Sequence, residues 1–532
     1  MNKFLFFLPF IFLACKSSDT SVATASTDFR EFKVLDSQYL EKDQIFGNLL
    51  EEVVRFRESD NLNSLILEQS IPEIQEAIAS GKLTYRDLTL FYLNRIYKYD
   101  RENPKSLNAI ISINPNALKQ ADQADKDLAY LKNQGDEIPL YTLRGMPILL
   151  KDNINTSEMP TTAGAAVLLE NKSTPDAKIV ANLKQDGAII LGKANLSEWA
   201  YFFCGDCPSG YSAVGGQTLN PYGRRTIDTG GSSSGSGVSV AANFAVAAIG
   251  SETSGSILSP SSQNSVVGYK PSTGTFSGIG IVPISSYLDT AGPMTKNVID
   301  NAIVSRALGA PYQVIDSYGT NDFENGKLEG VRFGVWTSFK ENKLYEKALS
   351  DLEQEGAILI ELDDTRPQLN GFLKLLNLDM KQDLPAYFAG QSDAKYRGWN
   401  VEKVMEWNNK DSLKSMPYGQ KLFQGIVDEP SLTEEELWKF KTAMTATAQE
   451  YFDKLIKQHD LSGFVSINNY TAGAAAVAFF PAMTVPMGYD ESGQPYGLTF
   501  IAPNEEDKLL FRWAYLYEKI SKHRVMPEDY RD

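Results

Sequence analysis

The residues of this chain best suited to chemistry are glycine-flanked serines together with one lysine. Residues 228–256 read DTGGSSSGSGVSVAANFAVAAIGSETSGS: a Ser–Gly cluster, an apolar stretch and a second Ser–Gly cluster. A serine hydroxyl attacks a carbonyl when a neighbouring base takes its proton. The chain has 2 histidines, His459 in KLIKQHDLSG and His523 in SKHRVMPE. Both lie in or beside charged helix ends, where a solvated imidazole is the ordinary expectation. A lysine is the other route. Lys151 closes the apolar run MPILLKD (146–152). Burial at such a position disfavours the ammonium and lowers its pKa by up to about 3–5 units, which would leave a neutral amine able to accept a proton.

Other readings of the same residues fare worse. A flexible linker does not contain a small-residue helix pattern (GVSVAANFA) followed by a buried-strand pattern (VAAIG). A phosphate loop of the GxxxxGK[ST] type needs a lysine that neither cluster has. Gly231-Ser232-Ser233-Ser234-Gly235 fits the GxSxG elbow of an α/β-hydrolase with Ser233 at its centre, but that pattern arises by chance in a Ser–Gly run and needs a downstream acid and histidine. Ser392-Asp393-Ala394-Lys395 fits the SxxK of lysine-using β-lactamases and penicillin-binding enzymes, without the KTG that accompanies it. Glycines at a helix start and a strand end can turn backbone N–H groups towards one point, making an anion nest.

The elements that must position these groups are legible around them. IPEIQEAIASG has helical spacing up to Gly81. TYRDLTLFYLNRIYKYD follows, with Thr84 and Asp87 placed as a capping box. NAIISIN (108–114) reads as a strand, ALKQADQADKDLAYLKNQ as an amphipathic helix closed by Gly135, and DAKIVANLKQDGAIILGKAN as helix then strand. VRFGVW (331–336), FVSIN (464–468), AMTVP (482–486) and YGLTFIA (496–502) read as later strands, and EDKLLFRWAYLYEKISK as a closing helix. Residues 365–458 are helical in pattern and more charged, which suggests a helical insertion or cap within one sheet domain.

With 532 residues, 42% hydrophobic and 22% charged, the chain has ordinary globular composition. Its net charge of −16 and the lack of a basic stripe argue against nucleic-acid binding. The N-terminus, MNKFLFFLPFIFLACKSS, has a short basic start, an apolar run too short for a stop-transfer helix, and Cys15 after a small residue. This resembles a bacterial lipoprotein signal. It predicts a signal peptide over 1–14, lipidation of Cys15, a polar tether over 15–32, and an exported protein held to a membrane of the cell envelope. Cys204 and Cys207, in YFFCGDCPSGY, are expected as a local disulfide in an oxidising compartment; a lone CxxC makes no zinc site. No metal and no cofactor are implied.

Lys151 in GMPILLKDNIN, GGSSSGSG and GSETSGSI together, in that order, resemble the amidase signature family, and VVGYKPSTG, IVPISSYLDTAGPMTK and FFPAMTVPMGYDESGQPYGLTF fit its style. The resemblance runs from about residue 70 to the C-terminus and thins between 340 and 460. It implies a single domain over 33–532, an α/β/α sandwich around a mixed, largely parallel sheet, and a Ser–cis-Ser–Lys triad. On this chain the nucleophile is Ser256, the bridging serine Ser232 behind a cis Gly231–Ser232 peptide, and the base Lys151. Ser233 is a supporting hydrogen-bonder, and the backbone of Thr253, Ser254, Gly255 and Ser256 forms an oxyanion hole. Many members read TDxGGS at the nucleophile; here Glu252 replaces the Asp, and Ser254 stands where Gly or Asp is common. The clusters are closest in style to bacterial peptide amidases, so the expected substrate is a small-molecule or peptide amide. A non-catalytic, lipid-anchored binding protein on the same fold is the alternative outside enzymology.

Overall fold

The computed structural model describes residues 34–57, 60–173, 175–310, 326–363 and 365–531. The expected signal peptide, Cys15 and the tether over 15–32 lie outside these residues.

The frame is an 11-stranded sheet. Its strands are β1 (Ile110–Ile113), β2 (Pro147–Lys151), β3 (Ile189–Ala194), β6 (Ala247–Glu252), β7 (Val267–Lys270), β8 (Thr290–Thr295), β9 (Arg332–Trp336), β10 (Ile358–Leu362), β11 (Gly463–Ile467), β12 (Ala482–Tyr489) and β13 (Pro495–Ile501). The short pair β4 (Tyr211–Ser212) and β5 (Gly216–Gln217) stands apart. The order across the sheet is β1-β3-β2-β6-β8-β7-β12-β13-β11-β9-β10. Parallel pairing joins β3, β2 and β6 on one flank and β11, β9 and β10 on the other. The strands between them pair antiparallel. The α/β architecture and mixed sheet are those expected, with the parallel character concentrated in the flanks.

The parallel flank around β2 is buried on both faces, which suits its near-continuous apolar sequence. β7 and β8 have no such signal, because they carry Gly268, Gly292 and Pro293, residues that weaken a strand pattern. Packing requires the glycine: a Cβ at Gly292 would lie 1.9 Å from the carbonyl oxygen of Tyr269.

Helices cover the sheet. Ser234–Ala241 and Leu258–Gln263 pack on each other and on the central strands, while Lys178–Gln185, Val298–Leu308, Lys343–Gln354 and Asp507–Ser521 form a second linked set. Local chemistry sets their ends. Of the expected capping box only the forward half forms: Thr84 Oγ1 accepts from the Asp87 N–H at 2.9 Å, while the shorter Asp87 carboxylate takes the Thr84 hydroxyl and not its N–H. Gly135 closes Ala117–Gln134 with a left-handed φ of 75°. Between β10 and β11 the chain is helical, with Phe372–Gly390, Val401–Asn408, Lys421–Asp428 and Glu434–His459. These helices share a second apolar core with Trp199, Phe203 and the segment after β11. They also touch the loop between β7 and β8, where Tyr287 Oη lies 2.9 Å from Thr445 Oγ1.

Candidate active site

β2 delivers Lys151 to the middle of the sheet's C-terminal edge, and the whole side chain is buried. Its Nζ lies 2.7 Å from Ser232 Oγ, 3.0 Å from the Ser251 carbonyl oxygen and 3.0 Å from Ser251 Oγ. Burial pushes the amine down to about 7, against the opposing pull of the Asp289 and Glu252 carboxylates. A neutral amine has two hydrogens and one lone pair. The Ser251 carbonyl can only accept, and Ser251 Oγ also accepts from Asn153 Nδ2 at 2.9 Å. With both amine hydrogens directed to Ser251, the lone pair faces the Ser232 hydroxyl.

The acidic neighbour does not interfere. Asp152 turns away and pairs with Lys193 on β3, Nζ to Oδ1 3.0 Å, both side chains fully buried. The backbone register, Lys151 beside Ala194 and Leu150 beside Lys193, puts the two lysines on opposite sides of the strand pair.

Ser232 follows a cis Gly231–Ser232 peptide and is completely buried. Its carbonyl accepts from the Ser197 N–H at 3.0 Å. Only glycine fits at 231, since a Cβ there would come 2.5 Å from Ser197 Oγ. Ser233 supports a different partner from the one expected. Its Oγ donates to the Ser251 carbonyl at 3.1 Å and accepts from the Ser251 N–H at 3.2 Å. Its own N–H donates to the Ser256 carbonyl at 3.1 Å. It therefore ties β6 and the Ser256 turn to the Ser232 turn, without bonding to Ser232 Oγ. Buried and doubly bonded, Ser233 is no exposed elbow nucleophile.

β6 ends at Glu252 and the chain turns through Thr253, Ser254, Gly255 and Ser256. Gly255 takes a left-handed φ of 85°, and a Cβ there would meet Asn469 Nδ2 at 2.9 Å. The Glu252 carboxylate accepts from the N–H groups of Ile257 and Leu258 at 2.7 and 3.0 Å, pinning the far side of the turn. Thr253 Oγ1 donates to Asp289, whose other oxygen accepts from the Ile284 and Ser285 N–H groups at 2.8 and 3.1 Å. Burial raises the Asp289 carboxyl to about 7. Within the turn, the N–H groups of 253–256 donate to no protein acceptor among the described residues, and neither does Ser256 Oγ form a hydrogen bond there. Half-buried Ser256 thus presents its hydroxyl beside a set of unused donors. Ala472 opens the helix Ala472–Val477 against this turn, 3.5 Å from a Cβ built at Gly255.

The remaining candidates lie elsewhere. His459 ends the helix Glu434–His459, and half-buried His523 lines a cavity with Lys296, at the far end of β8. Ser392 Oγ donates to the carbonyl of Phe388 at 2.9 Å, and Lys395 pairs with Glu170 at the surface. Cys204 and Cys207 are joined as a disulfide. No cluster of three or more His, Cys, Asp or Glu side chains suited to a metal occurs among the described residues. Ser251, which holds the lysine amine, and Asn153, which donates to Ser251 Oγ, were not singled out in the sequence. Only their position next to the matched clusters could have pointed to them.

Comparison with known proteins identifies the family. A family model described as Amidase matches residues 87–511. A probable amidase of Arabidopsis thaliana is 36% identical over 488 residues, 87% of this chain and 92% of that protein. An amidase family protein from Bacillus anthracis superposes with a TM-score of 0.84 at 34% identity, covering 94% of this chain and 99% of that one. The native peptide amidase from Stenotrophomonas maltophilia gives a TM-score of 0.76 at 33% identity, covering 87% and 99%. The chain belongs to the amidase (amidase signature) family and is an amide-cleaving hydrolase.

Proposed function

We propose that the protein is an exported, lipid-anchored amidase that cleaves a linear carboxamide through an acyl-enzyme, with a peptide C-terminal amide as the leading substrate class. The observation that carries the mechanism is the buried Lys151 amine, 2.7 Å from Ser232 Oγ and with its pKa brought down to about 7. In the forward step Lys151 takes the Ser232 proton, Ser232 takes the Ser256 proton, and Ser256 Oγ bonds to the amide carbon. The carbonyl oxygen becomes an oxyanion and meets the N–H groups of 253–256, a device worth about 3–4 kcal/mol per donor. Collapse breaks the C–N bond. Ser232 hands its proton to the departing nitrogen and recovers one from Lys151, so ammonia or an amine leaves and the acyl group stays on Ser256. Water then attacks the ester by the same relay, releasing the acid and restoring all three groups.

The peptide-amide reading draws on the likeness to the Stenotrophomonas maltophilia peptide amidase. Export and anchoring draw on the N-terminal sequence ending at Cys15, and the Cys204–Cys207 disulfide fits an oxidising compartment. Fluorophosphonate labelling followed by peptide mapping tests the chemistry, with the tag expected on Ser256. A screen of amidated peptides against simple amides, following ammonia release, tests the substrate class. An unlabelled protein would sink the hydrolytic reading, and a tag on Ser233 would reassign the nucleophile. Mass spectrometry of the membrane fraction should find a diacylglyceryl Cys15 as the first residue of the mature chain.

A further inference from the structure

At the opposite end of β8 from the catalytic groups lies a cavity of about 210 Å3, lined by Lys296, Val485, Pro486, Glu518 and Ser521 among others. β8 runs antiparallel to β6, with Thr290 opposite Glu252 and Thr295 opposite Ala247. At about 3.3 Å per residue, Lys296 is therefore about 20 Å along the sheet from the Ser256 turn. Lys296 is 3% exposed, yet its Nζ has no hydrogen-bond partner among the described residues. A buried ammonium is costly unless something accepts from it.

Every neighbouring acid already has donors. Glu68 is gripped by Arg524 Nε and Nη2, both at 2.8 Å. Asp300 accepts from the Ile71 N–H at 2.7 Å and from Asn297 Nδ2 at 2.9 Å. Glu518 accepts from the Val298 N–H at 3.1 Å. Arg524 is saturated too, through Glu68 and the Ser265 carbonyl. A second polar group at the cavity is underused: Ser521 Oγ is buried beside Tyr517 Oη and, apart from that phenol, meets no partner among the described residues.

We propose that this cavity binds a short-chain monocarboxylate, its oxygens taken by Lys296 Nζ and Ser521 Oγ and its hydrocarbon end laid on Val485 and Pro486. Two donors of this kind match the two oxygens of a carboxylate. Burial raises the Glu518 carboxyl to about 8, so the basic wall of Lys296, Lys522 and Arg524 sets the preference for an anion, and the apolar face of Val485 and Pro486 suits a short alkyl chain that phosphate lacks. The inference does not depend on the hydrolytic reading.

The test is isothermal titration of the full-length protein with butyrate at neutral pH, with inorganic phosphate as the comparison. Butyrate should give a saturable isotherm that is unchanged in Ser256→Ala and weakened at least about tenfold in both Lys296→Met and Ser521→Ala. Circular dichroism and amide turnover report whether each variant is folded. Should Lys296→Met misfold, Ser521→Ala at the half-exposed helix end decides the matter alone. The proposal is overturned if butyrate gives no saturable heat, if phosphate binds as tightly, or if folded variants at the cavity bind as wild type does. An inactive enzyme that still binds butyrate in this way would overturn the amidase mechanism and leave this site standing.

Discussion

Asp152 and Lys193 face each other across neighbouring parallel strands, 3.0 Å apart and fully buried, and their pairing leaves Lys151 without a carboxylate at contact distance among the described residues. Two lysines in one core would otherwise compete for one acid. Lys193 also donates to the Ile154 carbonyl at 2.7 Å and to Thr161 Oγ1 at 2.9 Å, so its charge is well satisfied. Lys151 meets hydroxyls and a carbonyl instead, none of which holds a proton on it by charge. This division of labour separates a structural ammonium from a chemical amine.

Removing the acid should therefore cost stability first. Asp152→Asn leaves the buried Lys193 charge uncompensated, and breaking a buried pair from one side costs about 3–5 kcal/mol. The urea midpoint should fall clearly. The double variant Asp152→Leu with Lys193→Met should recover much of the loss, because it removes both charges together. Equal midpoints for the single variant and wild type would show the pair to be energetically idle.

The pH dependence follows from the amine at about 7. The base works only when neutral, so kcat/KM should be low in acid, rise through about pH 7 and level off above it. Asp289 titrates in the same range, so the profile should also be measured on Asp289→Asn. If the rising limb survives that change, it belongs to Lys151. Lys151→Met should lower turnover by about 10²–10⁴-fold and remove the limb. A flat wild-type profile from pH 5 to 9 is incompatible with a titrating lysine base.

Ser251 is expected to act by positioning. Ser251→Ala removes the hydroxyl that accepts from both Lys151 and Asn153, while the Ser251 carbonyl still holds the amine from one side. One charge-neutral hydrogen bond is worth about 0.5–1.5 kcal/mol, so kcat should drop roughly 3–10-fold with KM little changed. The limb of the pH profile should also move, a change that a merely structural role for Ser251 would not produce.

Glu252 tests the length of the turn's anchor. Its carboxylate reaches the N–H groups of Ile257 and Leu258. Glu252→Asp is one methylene too short for both contacts, and a displacement of about 1 Å in a reacting group can cost 10²-fold. Glu252→Gln keeps the reach with one acceptor oxygen and should lose less. Turnover of the two variants on one amide substrate ranks them. The opposite order would mean that charge, and not reach, is what the turn requires.

Much of this protein is legible in its residues taken in order. The run PILLK reads as a buried strand with a lysine at its end, since a short continuous apolar run suits a strand covered on both faces. The glycines at 231 and 255 announce turns where a side chain has no room. The caps at Thr84 and Gly135 are local chemistry and read directly. What one-dimensional reading does not reach is contact between distant segments. Nothing in the order of residues says that Lys193 takes Asp152, that Ser251 holds the lysine amine, or that Ser233 serves β6 and not its neighbour Ser232. The centre of the sheet is a further case, since β7 and β8 are strands despite their Gly and Pro content. These features depend on strand order and register, which bring together groups up to a hundred residues apart. The chain's residue types determined that a serine and a lysine were available for amide chemistry, and only tertiary packing decided that the Lys151 amine would be brought down to about 7 within reach of Ser232 Oγ.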